Sequence, residues 1–195
     1  GIVEISLIAQ DSTNYGTDLY GTFKLPELLN RVSEVEGIAW VRLHYAYPGF
    51  FTDELIETFA SNPKICNYFD IPLQHSEDLI LKRMRRPGRQ RDARELIAKI
   101  RGAIPDAAIR TSLIVGFPGE TEEDFERLCD FVREMKFDRL GVFTYSKEED
   151  TPAARLPDHV PDDVKEYRAA ALMEVQRQVS KENAAKRIGQ VIDVL

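Results

Sequence analysis

Cysteine is scarce in this chain, and the scarcity limits what the chain can bind through thiolates. Its 195 residues include two cysteines, Cys66 and Cys129, which are too few for a disulfide framework. Cys129 shares a helical stripe with Phe125, Leu128 and Val132, a pattern that favours a buried structural thiol over a metal ligand. We therefore expect a reducing environment, the cytoplasm.

Long hydrophobic runs and several common catalytic motifs are also missing. No apolar run approaches the roughly 20 residues that a membrane-spanning helix needs, and the start of the chain does not resemble a signal peptide. We therefore expect no membrane partner. The sequence contains no P-loop, no dinucleotide-binding fingerprint and no HExxH zinc motif. A serine–histidine–acid order is absent as well, which argues against a hydrolase of that type.

Charge is present in ordinary amount but is unevenly distributed. The chain is 43% hydrophobic and 30% charged, which is typical of a soluble domain with a sizeable core. Residues 82–101 hold nine basic residues against two acidic ones, a local balance of +7, so the rest of the chain carries −14. Such a basic segment either contacts phosphate or a ribonucleoprotein surface, or is a solvated helix face.

Predicted strands alternate with predicted helices along most of the chain. The strands are predicted over residues 2–9, 39–45, 68–73, 108–115 and 139–145. Thr52 and Ser76 are predicted to cap helices, and Pro87-Gly88 to break the helix that follows Ser76. A proline-rich linker, 151–161, precedes a long helix that ends near residue 183. This alternation predicts a parallel α/β sheet with helices outside it. A closed eight-unit barrel takes about 250 residues, so five units predict a partial, open β/α barrel that lacks its first strand.

The stretch 108–120, AIRTSLIVGFPGE, organises this arrangement. It reads as a strand that ends in a glycine turn, and Thr121 follows as the cap of a helix with an acidic first turn. Gly116 at the end of the strand has two interpretations. It either permits a tight turn or lets a ligand approach the backbone.

Polar residues occupy one face of four predicted strands. Because side chains alternate along a strand, the polar faces point into the barrel when helices cover the apolar ones. The charged members of this inner set are Glu4, Arg42, Asp70 and Arg110. Burying each unpaired would cost several kcal/mol, so they must pair with one another or with a ligand. The sequence leaves both possibilities open.

The carboxyl ends of the predicted strands carry further polar side chains, among them Gln10, His44 and Gln74. Parallel α/β folds place their binding sites at this rim. We therefore favour ligand contact for these residues. His44, and His75 next to Gln74, also have a second interpretation. Each could be a histidine that makes only local hydrogen bonds within the protein and does not contact a ligand.

Four long segments, 7–21, 68–89, 111–125 and 141–158, strongly resemble the radical S-adenosylmethionine methylthiotransferases. The resemblance implies a six-strand partial barrel whose four-iron four-sulfur cluster cleaves S-adenosylmethionine to a 5′-deoxyadenosyl radical. It also implies a second cluster on an N-terminal domain and a small C-terminal β domain called TRAM. On this basis residues 1–185 form the radical core and residues 186–195 begin a TRAM-like domain.

One departure from the family pattern concerns the cluster. The family holds its radical cluster with a C-x3-C-x2-C loop after the first barrel strand, and Cys66 and Cys129 match nothing in it. Iron–sulfur clusters need thiolate ligands. We expect those ligands upstream of Gly1, in a longer protein of which this chain is a piece, and we expect the piece alone to be inactive.

The resemblance and the strand parity together imply a set of ligand-contacting residues. No residue of the chain is predicted to be catalytic or to bind metal. Residues expected on the S-adenosylmethionine side are Gln10, Gln74, Arg110, Ser112 and Gly116, with Phe143 and Tyr145 along the adenine. Residues expected on the substrate side are Asp11, His44, His75, Arg85 and Arg86.

Motif variants suggest which substrate the family member modifies. Members that modify tRNA typically carry Gly-Gln-Asn, Pro-Val-Gln-Ser-Gly and Met-Asn-Arg. This chain instead carries Ala9-Gln10-Asp11, Pro72-Leu73-Gln74-His75 and Met84-Arg85-Arg86-Pro87-Gly88. These variants resemble the branch that methylthiolates the β-carbon of an aspartate in a small-subunit ribosomal protein. Expected partners are that protein, ribosomal RNA and a reductant protein. The alternatives are a tRNA-adenosine methylthiotransferase and a non-catalytic docking fragment.

Overall fold

The computed structural model describes residues 1–86 and 90–191, and within these ranges strands and helices alternate as predicted. The five strands there are β1 (Glu4–Leu7), β2 (Trp40–Leu43), β3 (Tyr68–Asp70), β4 (Ala108–Val115) and β5 (Arg139–Thr144). The helices are α1 (Thr17–Tyr20), α2 (Leu25–Ser33), α3 (Asp53–Ser61), α4 (Asp78–Arg83), α5 (Gln90–Ala103), α6 (Glu122–Met135) and α7 (Asp162–Ala185).

All strand pairs in the described ranges are parallel and follow the order of the chain. β1 pairs with β2, β3 pairs with β4, and β4 pairs with β5 over six residues. The fold is therefore an α/β arrangement with parallel sheets, and the described strands do not close into a barrel. This confirms the predicted fold class.

The expectation of one continuous sheet was wrong between β2 and β3. The strands form a two-stranded and a three-stranded sheet. The backbone groups of Val41 pair instead with the segment that precedes β3: Val41 N–H donates to the Lys64 carbonyl at 2.8 Å, and Cys66 N–H donates to the Val41 carbonyl at 2.9 Å. β3 therefore forms its regular ladder with β4, and its bond to the chain after β2 is a single one, from Ala46 N–H to the Asp70 carbonyl at 2.9 Å.

Strand β4 has two chemically distinct faces. Its residues alternate without exception between half-buried and buried. Leu113 and Val115 on the buried face are fully enclosed under the helices. Arg110 and Ser112 lie on the half-buried face, toward the interior of the sheet's curve. The alternation predicted from the sequence is thus confirmed for this strand.

The hydrophobic core lies between the outer face of the sheet and the helices. Phe131 of α6, Phe137 before β5 and Leu172 of α7 are fully buried there. Cys129 is also buried, at 7% exposure, in the same cluster. The prediction of a structural thiol at this position is confirmed.

Helix starts follow the predicted caps in two cases and differ in one. Thr52 caps α3, and Thr121 forms a reciprocal capping box with Asp124 at the start of α6. The predicted cap at Ser76 was wrong, since α4 begins after Glu77. The Glu77 N–H is bound by the His75 ring, and the Ser76 hydroxyl donates to the Glu77 carboxylate at 3.2 Å. The helix therefore begins one residue later.

The end of the chain is described only in part. α7 ends at Ala185, and residues 186–189 form turns. Residues 192–195 lie outside the described ranges, so the proposed start of a TRAM-like domain over 186–195 stays a prediction. The predicted break at Pro87-Gly88 lies outside them as well. No helix in the described part of the chain is long and apolar enough to cross a membrane.

The buried face of β4 should dominate the stability of the sheet. We predict that Leu113→Ala lowers the free energy of unfolding by about 2 to 5 kcal/mol, because a fully buried leucine leaves a cavity when truncated. Leu19→Ala, at a leucine that is 74% exposed, is the matched control and should change it by less than about 0.5 kcal/mol. Urea denaturation measures both, and equal losses would contradict the packing described here.

Candidate functional site

The inner face of the sheet carries a first ion pair between β1 and β2. Arg42 Nε donates to Glu4 Oε1 at 2.7 Å, and Arg42 Nη2 donates to Glu4 Oε2 at 3.3 Å. The Arg42 guanidinium also lies over the Tyr68 ring, 5.1 Å from its centroid. Hydrogen bonds from Arg42 hold the pKa of the Glu4 carboxyl below its usual range. The expectation that these inward charges pair is confirmed here.

A second group of charges centres on Asp70, which is 3% exposed at the end of β3. His44 Nδ1 lies 3.4 Å from Asp70 Oδ2, and Arg110 Nη1 donates to the same oxygen at 3.3 Å. Burial is the largest influence on Arg110 and lowers its pKa, but Asp70, Tyr68 and Tyr45 together outweigh it, so the pKa of the guanidinium is raised. The side chains of three neighbouring strands therefore meet at one carboxylate oxygen.

Gln74 and Ser112 lie next to each other just above this group. Gln74 has a left-handed backbone, with φ of 71°. Its N–H donates to the Ser112 carbonyl at 2.9 Å, and its own carbonyl accepts from Ile114 N–H at 2.7 Å. These bonds continue the pairing of β3 with β4 past the end of β3. The backbone of Gln74 thus lies beside that of Ser112, and shared ligand contact by these residues with Arg110 and His44 stays a prediction.

Gly116 ends β4 in a tight turn. Its φ of 73° is in the left-handed region, and a Cβ added there would clash with Lys165 Cγ. The glycine is therefore required by the turn and by the packing of α7. This supports the turn interpretation, while ligand contact at Gly116 stays a prediction.

A buried charge network behind the turn was missed by the sequence analysis. The Glu120 carboxylate accepts from Gly116 N–H at 3.0 Å, from His75 Nε2 at 3.1 Å and from Arg168 Nη1 at 2.7 Å. Both Glu120 and His75 side chains are fully buried. A glutamate directly after a glycine turn is the one sequence signal, but its partner Arg168 lies 48 residues away.

Four other predicted residues lie outside the hydrogen-bonded group around Asp70. Gln10 is exposed. Asp11 caps the short turn that follows β1, where its carboxylate accepts from Thr13 N–H at 3.1 Å. Phe143 is 58% exposed on β5. The Tyr145 ring packs edge-on against Phe117 with 5.0 Å between ring centroids, and its hydroxyl is buried without a partner.

The predicted arginine-rich surface is only partly available to a ligand. Arg83 donates to the Pro118 carbonyl at 3.1 Å, and Arg101 caps the end of α6 through the Met135 carbonyl at 2.6 Å. Arg94 pairs with Glu134. Arg85 and Arg86 are exposed, whereas Arg89 lies outside the described ranges.

Arg86 lines a cleft of about 320 Å³ beside the rim. Tyr47 and Phe50 form one wall of the cleft, Leu73 and Leu81 form its apolar floor, and Gln74 connects it to the charged cluster. His75 is among the residues that line the cleft, although its side chain is fully buried and both ring nitrogens have partners in the protein. The arrangement suits an extended ligand whose polar end lies at the rim.

Comparison with known proteins identifies the family. The sequence profile of the radical SAM superfamily matches residues 2–132. The chain belongs to this superfamily. Two solved structures support the fold. Coproporphyrinogen III oxidase (HemN) from Escherichia coli has a TM-score of 0.64 and 17% identity, and the match covers 79% of this chain and 37% of that one. Streptococcus suis SuiB bound to S-adenosylmethionine has a TM-score of 0.53 and 18% identity, and the match covers 94% of this chain and 37% of that one.

Relatives with higher identity carry a more specific name. The "Ribosomal protein uS12 methylthiotransferase RimO" of Desulforamulus reducens is 53% identical over 195 residues, which are 100% of this chain and 44% of the relative. The protein of the same name from Flavobacterium johnsoniae is 56% identical over 191 residues, 98% of this chain and 44% of the relative. The chain therefore spans less than half the length of these relatives.

Membership of the superfamily implies S-adenosylmethionine and an iron–sulfur cluster, and the residues fit these two groups differently. The rim offers amide, hydroxyl and guanidinium groups from Gln74, Ser112 and Arg110, which suit a polar organic cofactor. Burial raises the pKa of both cysteine thiols, Cys66 and Cys129. The described residues contain no group of three His, Cys, Asp or Glu side chains that suits a metal. This part of the chain does not fit an iron–sulfur cluster.

The Glu4–Arg42 pair should make the free energy of unfolding depend on pH in the acidic range. Because the folded pKa of Glu4 lies below its unfolded value near 4.5, the pair stabilises the fold above that pH, and the contribution is lost as the pH falls through the folded pKa. We predict that Glu4→Gln flattens the stability profile between about pH 5 and pH 3. Thermal melts across this range measure it, with Glu36→Gln in an exposed turn as control; an unchanged profile in Glu4→Gln would contradict the pairing.

Proposed function

We propose that this chain is the radical core of a methylthiotransferase that modifies ribosomal protein uS12. The observation that carries the proposal is the similarity of the entire chain to relatives bearing that name, at 53% identity in one of them. The modified group would be the β-carbon of an aspartate, which is not activated for removal of a proton. Radical chemistry suits removal of a hydrogen atom from such a carbon.

The S-adenosylmethionine site would be the inner rim of the sheet. When bound and reduced by one electron, S-adenosylmethionine would supply a 5′-deoxyadenosyl radical, with methionine as the other product. Arg110 is held by Asp70 through Nη1, and a guanidinium with further N–H donors suits the carboxylate of the ligand. Ser112 and Gln74 would add neutral hydrogen bonds. Gln10, Gly116, Phe143 and Tyr145 complete the set that we assign to this ligand.

The substrate protein would enter over the cleft that Arg86 lines. The apolar floor at Leu73 and Leu81 suits the hydrophobic part of an extended segment, and Arg86 suits the carboxylate of the target aspartate. Further residues proposed on this side are Asp11, His44, His75 and Arg85. The chain carries a net charge of −7, which favours encounter with a basic ribosomal protein.

Three further elements belong to the same proposal. The exposed Arg85 would contact ribosomal RNA close to the protein substrate. A reductant protein would deliver electrons in the cytoplasm, and thiolate ligands from the longer protein would hold the cluster. The chain from residue 186 onward would lead into a TRAM-like domain.

Mass spectrometry of the full-length enzyme's products tests the proposed substrate. We predict a mass gain of one methylthio group on uS12 and none on tRNA when both are incubated in parallel. Arg86→Ala should reduce the yield on uS12 by at least about tenfold, because a charge-assisted hydrogen bond contributes roughly 1.5 to 3 kcal/mol. Arg133→Ala, on the outer face of α6, is the matched control. A gain on tRNA alone would reject the proposal.

Calorimetry tests the cofactor side. We predict that Arg110→Ala in the full-length protein raises the Kd for S-adenosylmethionine by about ten- to a hundredfold. A thermal melt of the same variant separates lost binding from lost stability. The control is Arg177→Ala, at an arginine of α7 that is 78% exposed. An unchanged Kd in a folded Arg110→Ala protein would remove Arg110 from the site.

A further inference from the structure

The Glu120 carboxylate is enclosed where three parts of the fold meet. It lies just after the glycine turn of β4, and its side chain has no solvent exposure. Both of its oxygens lie 3.0 Å from Gly116 N. A buried carboxylate needs a balancing charge as well as hydrogen bonds.

Arg168 of α7 supplies that charge. Its side chain is 5% exposed, and its Nη1 donates to Glu120 Oε1 at 2.7 Å and to the Glu120 carbonyl at 3.2 Å. Its Nη2 donates to Glu122 at 2.9 Å, and its Cζ lies 5.4 Å from the centroid of the Phe125 ring. The guanidinium therefore fixes both the position and the orientation of Glu120.

His75 connects the same carboxylate to the loop after β3. Its Nδ1 accepts a hydrogen bond from Glu77 N–H at 3.0 Å, so this nitrogen carries no proton. The proton is then on Nε2, which donates to Glu120 Oε2 at 3.1 Å. His75 directly follows Gln74, whose left-handed backbone is bonded to Ser112 and Ile114. The position of Glu120 thereby determines the position of the Gln74 loop.

Arg168 thus acts on two segments of the rim through one carboxylate. The first is the turn at Gly116, and the second is the loop that carries Gln74. Arg168 itself lies beyond residues 2–132, the part of the chain that the superfamily profile matches. It also lies too deep, under the turn, to contact a ligand at the rim.

We propose that Arg168 is a positioning residue for the S-adenosylmethionine site, so that helix α7 is part of the binding apparatus. This inference rests on the proposed function, because that function places the cofactor at the rim. Arg168 orders the Gly116 turn and the Gln74 loop before the ligand arrives, which lowers the entropic cost of binding.

Replacement of Arg168 in the full-length protein tests the inference. Arg168→Met leaves a buried carboxylate without its counter-charge, and Arg168→Lys keeps the charge but cannot span Glu120 and Glu122 together. We expect faster hydrogen exchange at residues 113–117 and 71–76, well below the melting temperature, with the wild type slowest, Arg168→Lys intermediate and Arg168→Met fastest. The Kd for S-adenosylmethionine should be lowest in the wild type, higher in Arg168→Lys and highest in Arg168→Met, where it should rise by at least about tenfold. Arg177→Met on the same helix is the matched control and should leave both measurements unchanged.

A double variant separates positioning from stability. In Glu120→Gln with Arg168→Met no buried charge remains, so the melting temperature should recover relative to Arg168→Met. The carboxamide that Glu120→Gln introduces still lacks the Arg168 guanidinium that orients the side chain, so weak binding should persist. Recovery of full affinity together with stability would overturn the inference, as would an unchanged Kd in a folded Arg168→Met or Arg168→Lys protein.

Failure of the inference differs from failure of the proposed function. If the wild-type protein does not bind S-adenosylmethionine, the proposed function fails. The exchange measurement then still decides whether Arg168 orders the two rim segments. Unchanged exchange in Arg168→Lys and Arg168→Met would overturn that part regardless of any ligand.

Discussion

Charges on the inner face of the sheet persist because each meets an opposite charge on a neighbouring strand. Glu4 pairs with Arg42 across β1 and β2, and Asp70 receives Arg110 from β4. Asp70, whose side chain is 3% exposed, would not be tolerated alone. The pairing fixes the Arg110 guanidinium at the end of β3, on the strand that also carries Ser112. The same requirement for charge balance that stabilises the sheet therefore also prepares a polar site at its rim.

A second balanced charge lies behind the rim rather than within it. Glu120 and Arg168 neutralise each other out of contact with solvent. In the proposed function the first network would face the cofactor, and the second would fix the backbone segments that carry the ligand contacts. The superfamily profile covers residues 2–132, and the second network extends the functional unit to α7. This explains why a helix beyond the matched residues packs against the end of β4.

Much of this fold follows from local sequence rules. The strict alternation in 108–115 predicts the two faces of β4, and Thr52 and Thr121 predict helix starts by their capping chemistry. The pairing of the inner charges follows from their placement on adjacent parallel strands. What the sequence could not predict depends on contacts between distant residues. The separation of β2 from β3 arises from bonds to Lys64 and Cys66, and the partner of Glu120 lies on a helix 48 residues away. Ser76 failed as a cap because the His75 ring binds the backbone next to it.

The structure of the full-length protein with S-adenosylmethionine bound tests the central claim most directly. The claim is that the inner rim, formed by the ends of β3 and β4, is the cofactor site. The account predicts polar atoms of the ligand within hydrogen-bond distance of Arg110 and of Ser112 or Gln74, with the Glu120–Arg168 contact intact. A ligand bound elsewhere, with Arg110 still directed only at Asp70, would contradict it.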